Sequence, residues 1–216
     1  MLPGLLGMAG FVGAARSVDL VHTSSSASEV AQYGGSDSGR WIAIIALGGN
    51  DPSAYNLAAT ISGTPATVIK RHSSGNGGGQ ATGSAILVGQ PAGTSGTVTI
   101  TGTTTMRFYV LRVIGYNLGS AVFTDDSLGG GVPPWSANVP ANGLTLSVCQ
   151  SSFGGPSPLS WTGLTERIAD AALITSHIAS VAWDVNMAAN AAKAINVTAS
   201  DTQGDTSAVI ATFNPS

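Results

Sequence analysis

Gly96-Thr97-Val98-Thr99-Ile100-Thr101 alternates apolar and hydroxyl side chains, and a period of two places successive side chains on opposite faces of a β-strand. Val98 and Ile100 then face a core while the threonines face water, which marks an outer strand. Strand-like runs of this kind recur at short spacing over 17–23, 40–47, 55–62, 66–71, 81–88, 96–101, 106–114, 120–124, 144–150, 159–164, 179–187, 194–199 and 207–213. Each is bounded by Gly, Pro, Asn, Asp or Ser, the residues that supply turn conformations. Many short strands with turns between them predict an all-β fold: an antiparallel two-sheet β-sandwich, jelly-roll-like, with an irregular apolar segment at its N-terminus.

The faces of the runs differ. Trp41-Ile42-Ala43-Ile44-Ile45-Ala46-Leu47 and Phe108-Tyr109-Val110-Leu111 are apolar on both sides and read as central strands covered on both faces. Val181, Trp183, Val185 and Met187 share one face opposite Ala182, Asp184 and Asn186, which predicts one wet side. Arg107 and Arg112 fall on opposite faces of their strand and are expected to reach outward or pair with carboxylates. Helical spacing is limited to 164–178, where Ile168, Ala171, Ala172 and Leu173 recur behind a capping Thr165 although 162–174 reads equally as a loop plus strand, and to the alanine-rich 188–194. Residues 73–80 and 128–140 read as loops, the second a contact loop combining glycines, Pro133, Pro134 and Trp135.

Of the 216 residues only 9% are charged and the formal net charge is -3, against a usual charged share of about 25%. Hydroxyls, amides and glycine must therefore cover the surface. The few Lys and Arg are scattered, so no basic patch is present to neutralise a phosphate backbone, and nucleic acid is not an expected partner. The single cysteine, Cys149, lies in an alternating run and reads as a strand thiol packed on a core.

Residues 1–15, MLPGLLGMAGFVGAA, form a segment apart from the body at 16–216, which reads as a single β-sandwich domain. They are too short and too interrupted by glycine to cross a bilayer, and no membrane span is expected. Three readings are open: a secretory signal lacking its basic start, an extra strand or lid on the protein's own core, or an apolar peg that orders in a partner's groove. The third places docking contacts on Leu2, Leu5, Leu6, Met8, Phe11 and Val12.

No catalytic constellation is apparent, and none is assigned. Gly35-Ser36-Asp37-Ser38-Gly39 has an aspartate where a hydrolase elbow needs serine and reads as a turn. His22, His72 and His177 lack second ligands at metal-binding spacing, and no cofactor is expected. Asp125-Asp126 and the acidic turn 201–205 carry oxygen donors suited to calcium, although such residues more commonly bond their own backbone. Asn196-Val197-Thr198 matches a glycosylation acceptor. Trp135 and Trp161, both beside turn residues, are the candidates for exposed rings that contact a host glycan or receptor.

In their order, an apolar glycine-rich N-terminus, RWIAIIALGG, SGTPATVIKRHSSGNGGG, ILVGQPAGTSGTVTITGTTTMRFYVLRVIGYN, WTGLTE and SAVIATFNPS resemble β-sandwich virion structural proteins of tailed bacteriophages and prophages. The resemblance covers most of the chain. Where that pattern commonly has a cysteine after arginine, this chain has Phe108 after Arg107. It implies a non-enzymatic role in the virion, as a tail, fibre or spike subunit or a capsid decoration, with other virion proteins and further copies of the chain as partners. A carbohydrate- or receptor-binding module is the alternative.

Overall fold

The computed structural model describes residues 15–49, 56–74, 81–103, 105–126, 134–152, 159–174, 177–199 and 205–216. Among them the chain is built of antiparallel strands, and no described residue is α-helical. In chain order the strands are β1 Ser17–Ser24, β2 Ser28–Gln32, β3 Trp41–Gly49, β4 Ala58–Ile61, β5 Thr64–Pro65, β6 Thr67–Ser74, β7 Thr82–Gly89, β8 Ser95–Thr101 and β9 Thr105–Ile114. They continue with β10 Tyr116–Asp126, β11 Trp135–Val139, β12 Gly143–Ser152, β13 Leu159–Thr162, β14 Glu166–Ile174, β15 His177–Met187, β16 Asn190–Ala199 and β17 Thr206–Pro215.

Four sheets result. β1-β9-β3-β7-β6 and β2-β8-β4-β5 use the first nine strands, whereas β10-β17-β12-β15-β14 and β11-β16-β13 use the rest. The two sets follow the same order: β10 takes the place of β1, β11 of β2, β12 of β3, β13 of β4, β14 of β6, β15 of β7, β16 of β8 and β17 of β9. The antiparallel sandwich expected from the sequence is present, and it is made twice. In each copy the chain passes back and forth between two sheets, giving the jelly-roll interleaving of the first and last strands. β5 and β6 form almost one strand that changes sheets, its first residues pairing with β4 and the remainder with β7.

Packing explains why the inner strands are apolar on both faces. Ile42, Ile44, Ala46, Leu87 and Val110 meet Val98 and Ile100 inside the N-terminal sandwich. Cys149, Ala182, Ala208 and Ile210 meet Trp135, Ile195 and Val197 inside the C-terminal one. The largest core lies between the sandwiches, where Ile45, Leu47, Ile86, Val88 and Leu111 face Leu144, Leu146, Val148, Val181, Val209 and Phe213. Each such side chain contributes about 1.5–3 kcal/mol on full burial, so this shared layer holds the halves together. β17 lies over β6 and β7, and β12 over β7. One half thus offers its β6–β7 side and the other its β10–β17 side, a heterologous contact rather than a two-fold one.

Several strand expectations need correction. Residues 164–178 are not a helix, since 166–174 form β14 and 177–178 begin β15, and of 188–194 only 188–189 lie outside strands while 190–194 belong to β16. The β14–β15 register shifts between Glu166 and Ile168 and again between Asp170 and Ile174, so extra residues stretch the period of two toward helical spacing. Loop 128–140 contains β11, whose alternation is short but complete, while 127–133 lie outside the described residues. β15 has no wet side over its first half, because Ala182 is buried beneath the outer sheet. The sequence reading also missed β2, an exposed edge strand with one buried residue.

Candidate functional site

The ring expected to bind a glycan at Trp135 is a core residue. It is 3% exposed, and it pairs in register with Ile195 within the C-terminal core. The reason is local: in Trp135-Ser136-Ala137-Asn138-Val139 the odd positions face inward, and a ring at the first of them goes with Ala137 and Val139. Trp161 is half-buried, and its Nε1 donates to Ser180 Oγ at 2.7 Å. Ser180 Oγ in turn donates to Glu166 Oε1.

This chain of bonds gives WTGLTE a structural meaning. Thr165 N donates to Asp184 Oδ2 at 3.2 Å, Trp183 N donates to Thr165 O at 3.1 Å and Arg167 Nε donates to Trp183 O at 3.2 Å. Trp161, Thr165, Glu166 and Arg167 therefore clip the turn between β13 and β14 onto β15. Gly163 makes the turn with φ +85, and an added Cβ would sit 2.4 Å from Ala194 O. The N-terminal half repeats the turn with Ser62 at φ 50 and Gly63 at φ 81.

The remaining candidates are dispersed. Cys149 is fully buried and free; burial pushes its thiol well above the ordinary range, which suppresses the reactive thiolate. His22 lies 3.9 Å from Glu29 on the first two strands. His177 is 1% exposed, and burial holds its ring below the usual histidine range, against an opposing hydrogen bond with the Ala81 backbone. Asp126 accepts from His72 Nδ1 at 3.0 Å and pairs with Lys70 Nζ at 3.1 Å, so its carboxylate is engaged by protein. Among the described residues no group of three or more His, Cys, Asp or Glu is placed to hold a metal. Asp201–Gly204 of the acidic turn and the docking residues Leu2, Leu5, Leu6, Met8, Phe11 and Val12 lie outside the described residues. Asn196 of the glycosylation match lies half-buried within β16.

Two surface clefts are present at the same end of the molecule. One of about 370 Å³ is lined by Asp184, Val185, Met187, Asn190 and Lys193; the other, of about 320 Å³, by Ile61, Thr64, Pro65, Gly89 and Pro91. In the first, Asp184 is already bonded to Thr165 and Arg167, and the second is lined without an ionisable side chain.

Polar groups concentrate instead where the halves and loops must be held. Arg40, 6% exposed, donates to the carbonyls of Gly34, Gly35, Pro91 and Gly93 at 3.2, 2.9, 2.6 and 2.7 Å. It fastens the turn before β3, with Gly35 and Asp37, to the β7–β8 connection. Arg112 pairs with Asp19 at 2.8 Å and Asp37 at 3.4 Å. Across the seam, Ser84 Oγ meets Ser207 Oγ at 2.9 Å while Lys70 and His72 reach Asp126. Corresponding strand ends of the halves therefore lie at the same end of the molecule, and the two sandwiches point the same way.

These features define a duplicated antiparallel β-sandwich. Comparison of the chain with protein-family models, curated proteins and solved structures gave no match. No described helix is long and apolar enough to cross a membrane.

Proposed function

We propose that the protein is a non-enzymatic structural subunit of a bacteriophage virion, in a tail, fibre, spike or capsid-surface position, anchored through its N-terminal segment. The observation that carries this reading is the duplication: two jelly-roll sandwiches, equal in strand order and direction, fused over an apolar seam into one block. Jelly rolls recur in viral capsids and in lectins, and a block whose charged groups are used as internal ties suits repeated packing against neighbours. The charge-poor surface supports the same reading, since neighbouring copies meet little electrostatic repulsion.

Deleting residues 1–15 tests it: particle assembly is expected to proceed while incorporation of the truncated chain falls by an order of magnitude or more. Normal incorporation overturns the anchoring role. The alternative of a glycan- or receptor-binding module loses one of its two rings, because Trp135 is buried and Trp161 is bonded to Ser180.

A further inference from the structure

We propose that β2 is a two-fold contact through which the protein pairs with a second copy of itself, strand to strand, centred on Val30. The inference gives the homo-oligomer part of the reading above a surface, and it rests on strand geometry whether or not the assembly is a virion.

β2 is the end strand of its sheet. Tyr33 N donates to Thr94 O at 2.7 Å and Ile100 N donates to Ala27 O at 2.8 Å. Alternation in an antiparallel ladder then directs the backbone groups of Ala27, Glu29, Ala31 and Tyr33 to β8, and those of Ser28, Val30 and Gln32 away from it. The open side thus carries a row of N–H and C=O groups that no other described strand pairs, the usual template for strand addition.

Five of the other seven sheet edges are blunted by register shifts, while β13 and β5 pair without one over only four and two residues. All four edge strands of the inner sheets carry register shifts: β1 between Leu20 and His22, β6 between Val68 and Lys70, β10 after Tyr116 and β14 after Glu166. The counterpart of β2 in the second half, β11, shifts between Ala137 and Val139 and turns only Ser136 and Asn138 outward. β2 pairs with β8 without a shift and exposes Val30 to 60%, more than any other large apolar side chain among the described residues. The duplication acts as an internal control, because the same position in the fold is protected in one half and open in the other.

The strand also complements itself. Antiparallel pairing about Val30 sets Val30 against Val30 of the second copy, Ser28 against Gln32 and Glu29 against Ala31. Glu29 therefore never faces its own counterpart, and its carboxylate is drawn toward β1 by Ser24 and His22. Five residues bury less than the roughly 1,200 Å² of a stable complex, so the pair is weak alone and gains strength when many copies are held together.

Cysteine trapping reads such a contact directly. A hydrogen-bonded antiparallel pair has Cα atoms about 5.5 Å apart, within the roughly 4.4–6.8 Å that a disulfide spans, whereas Ser28 and its counterpart would be separated by about 13 Å. Under mild oxidation, full-length Val30→Cys is expected to form covalent dimer at least tenfold faster than Ser28→Cys, Leu20→Cys or Val68→Cys. A mixture of Ser28→Cys and Gln32→Cys is expected to cross-link where neither does alone, and unaltered protein, with Cys149 buried, stays monomeric on the gel. Equal rates at all positions, or no dimer from Val30→Cys, overturns the contact. That outcome leaves the virion reading untouched, since the latter depends on particle incorporation.

Discussion

The two sandwiches share a strand order yet differ wherever that order does not constrain them. In the N-terminal half the outer sheet has a fourth strand, β5, and its first strand is an open edge; in the C-terminal half the outer sheet stops at three strands and its first strand shifts register between Ala137 and Val139. The inner sheets, by contrast, correspond strand for strand. A strand apolar on both faces can be satisfied only between two other layers, so the inner positions fix the topology, while one-sided outer strands remain free to diverge. The seam also differs in kind from the two flanking cores, because it belongs to neither half.

Separating the halves is the most severe way to break this comparison. Residues 15–115 and 116–216 expressed apart would each expose an inner sheet face containing Ile45 and Val88, or Leu146 and Phe213. Each is expected to be insoluble or molten, with soluble, sharply melting protein restored by co-expression. Independent cooperative melting of either half would show that the seam is dispensable. A milder version is Phe213→Ala, expected to cost about 3–5 kcal/mol and to lower one common thermal transition rather than split it.

The matched turns give a finer contrast. Gly63 and Gly163 both have φ above +80, but an added Cβ meets nothing within 4 Å at Gly63 and the Ala194 carbonyl at 2.4 Å at Gly163. Gly63→Ala should cost about 1–2 kcal/mol from left-handed strain alone, and Gly163→Ala clearly more, as measured by denaturant unfolding. Equal losses would mean that the β13–β14 clip yields to let the side chain in.

A smaller effect concerns His177. Burial lowers its pKa in the folded chain, so between that value and the unfolded value of about 6.5 the unfolded chain binds more protons. Stability is therefore expected to fall as pH drops below about 6.5 and to level off once the folded histidine titrates. His177→Gln should flatten that part of the pH profile, whatever its effect at neutral pH. The mildest probe is the C-terminal core's thiol: Cys149 should resist a thiol reagent in native protein and react only at the rate of opening, sooner in Gly163→Ala than in Gly63→Ala.

Much of the strand content was legible because the period of two survives in a single sequence. It failed where structure interrupts it. Register shifts in β14 imitate helical spacing, the positive φ of Asn186 carries Met187 to the opposite core from Val185, and β2 shows a single buried position. Of the candidate contacts, Trp135 was misjudged because neighbouring glycines and prolines suggest a loop, whereas only the pairing of β11 with β16 decides which way the ring points.

What the sequence determined by itself is the β class and the presence of strands covered on both faces, since side-chain alternation and turn residues act over a few positions. Only the tertiary structure decided that there are four sheets in two equivalent pairs, that the largest core lies between them and that β2 stands at an edge with Val30 exposed. Those properties depend on which strands pair across long stretches of chain, and the two halves reach the same pairing with different side chains, so local pattern alone carries no trace of the partnership.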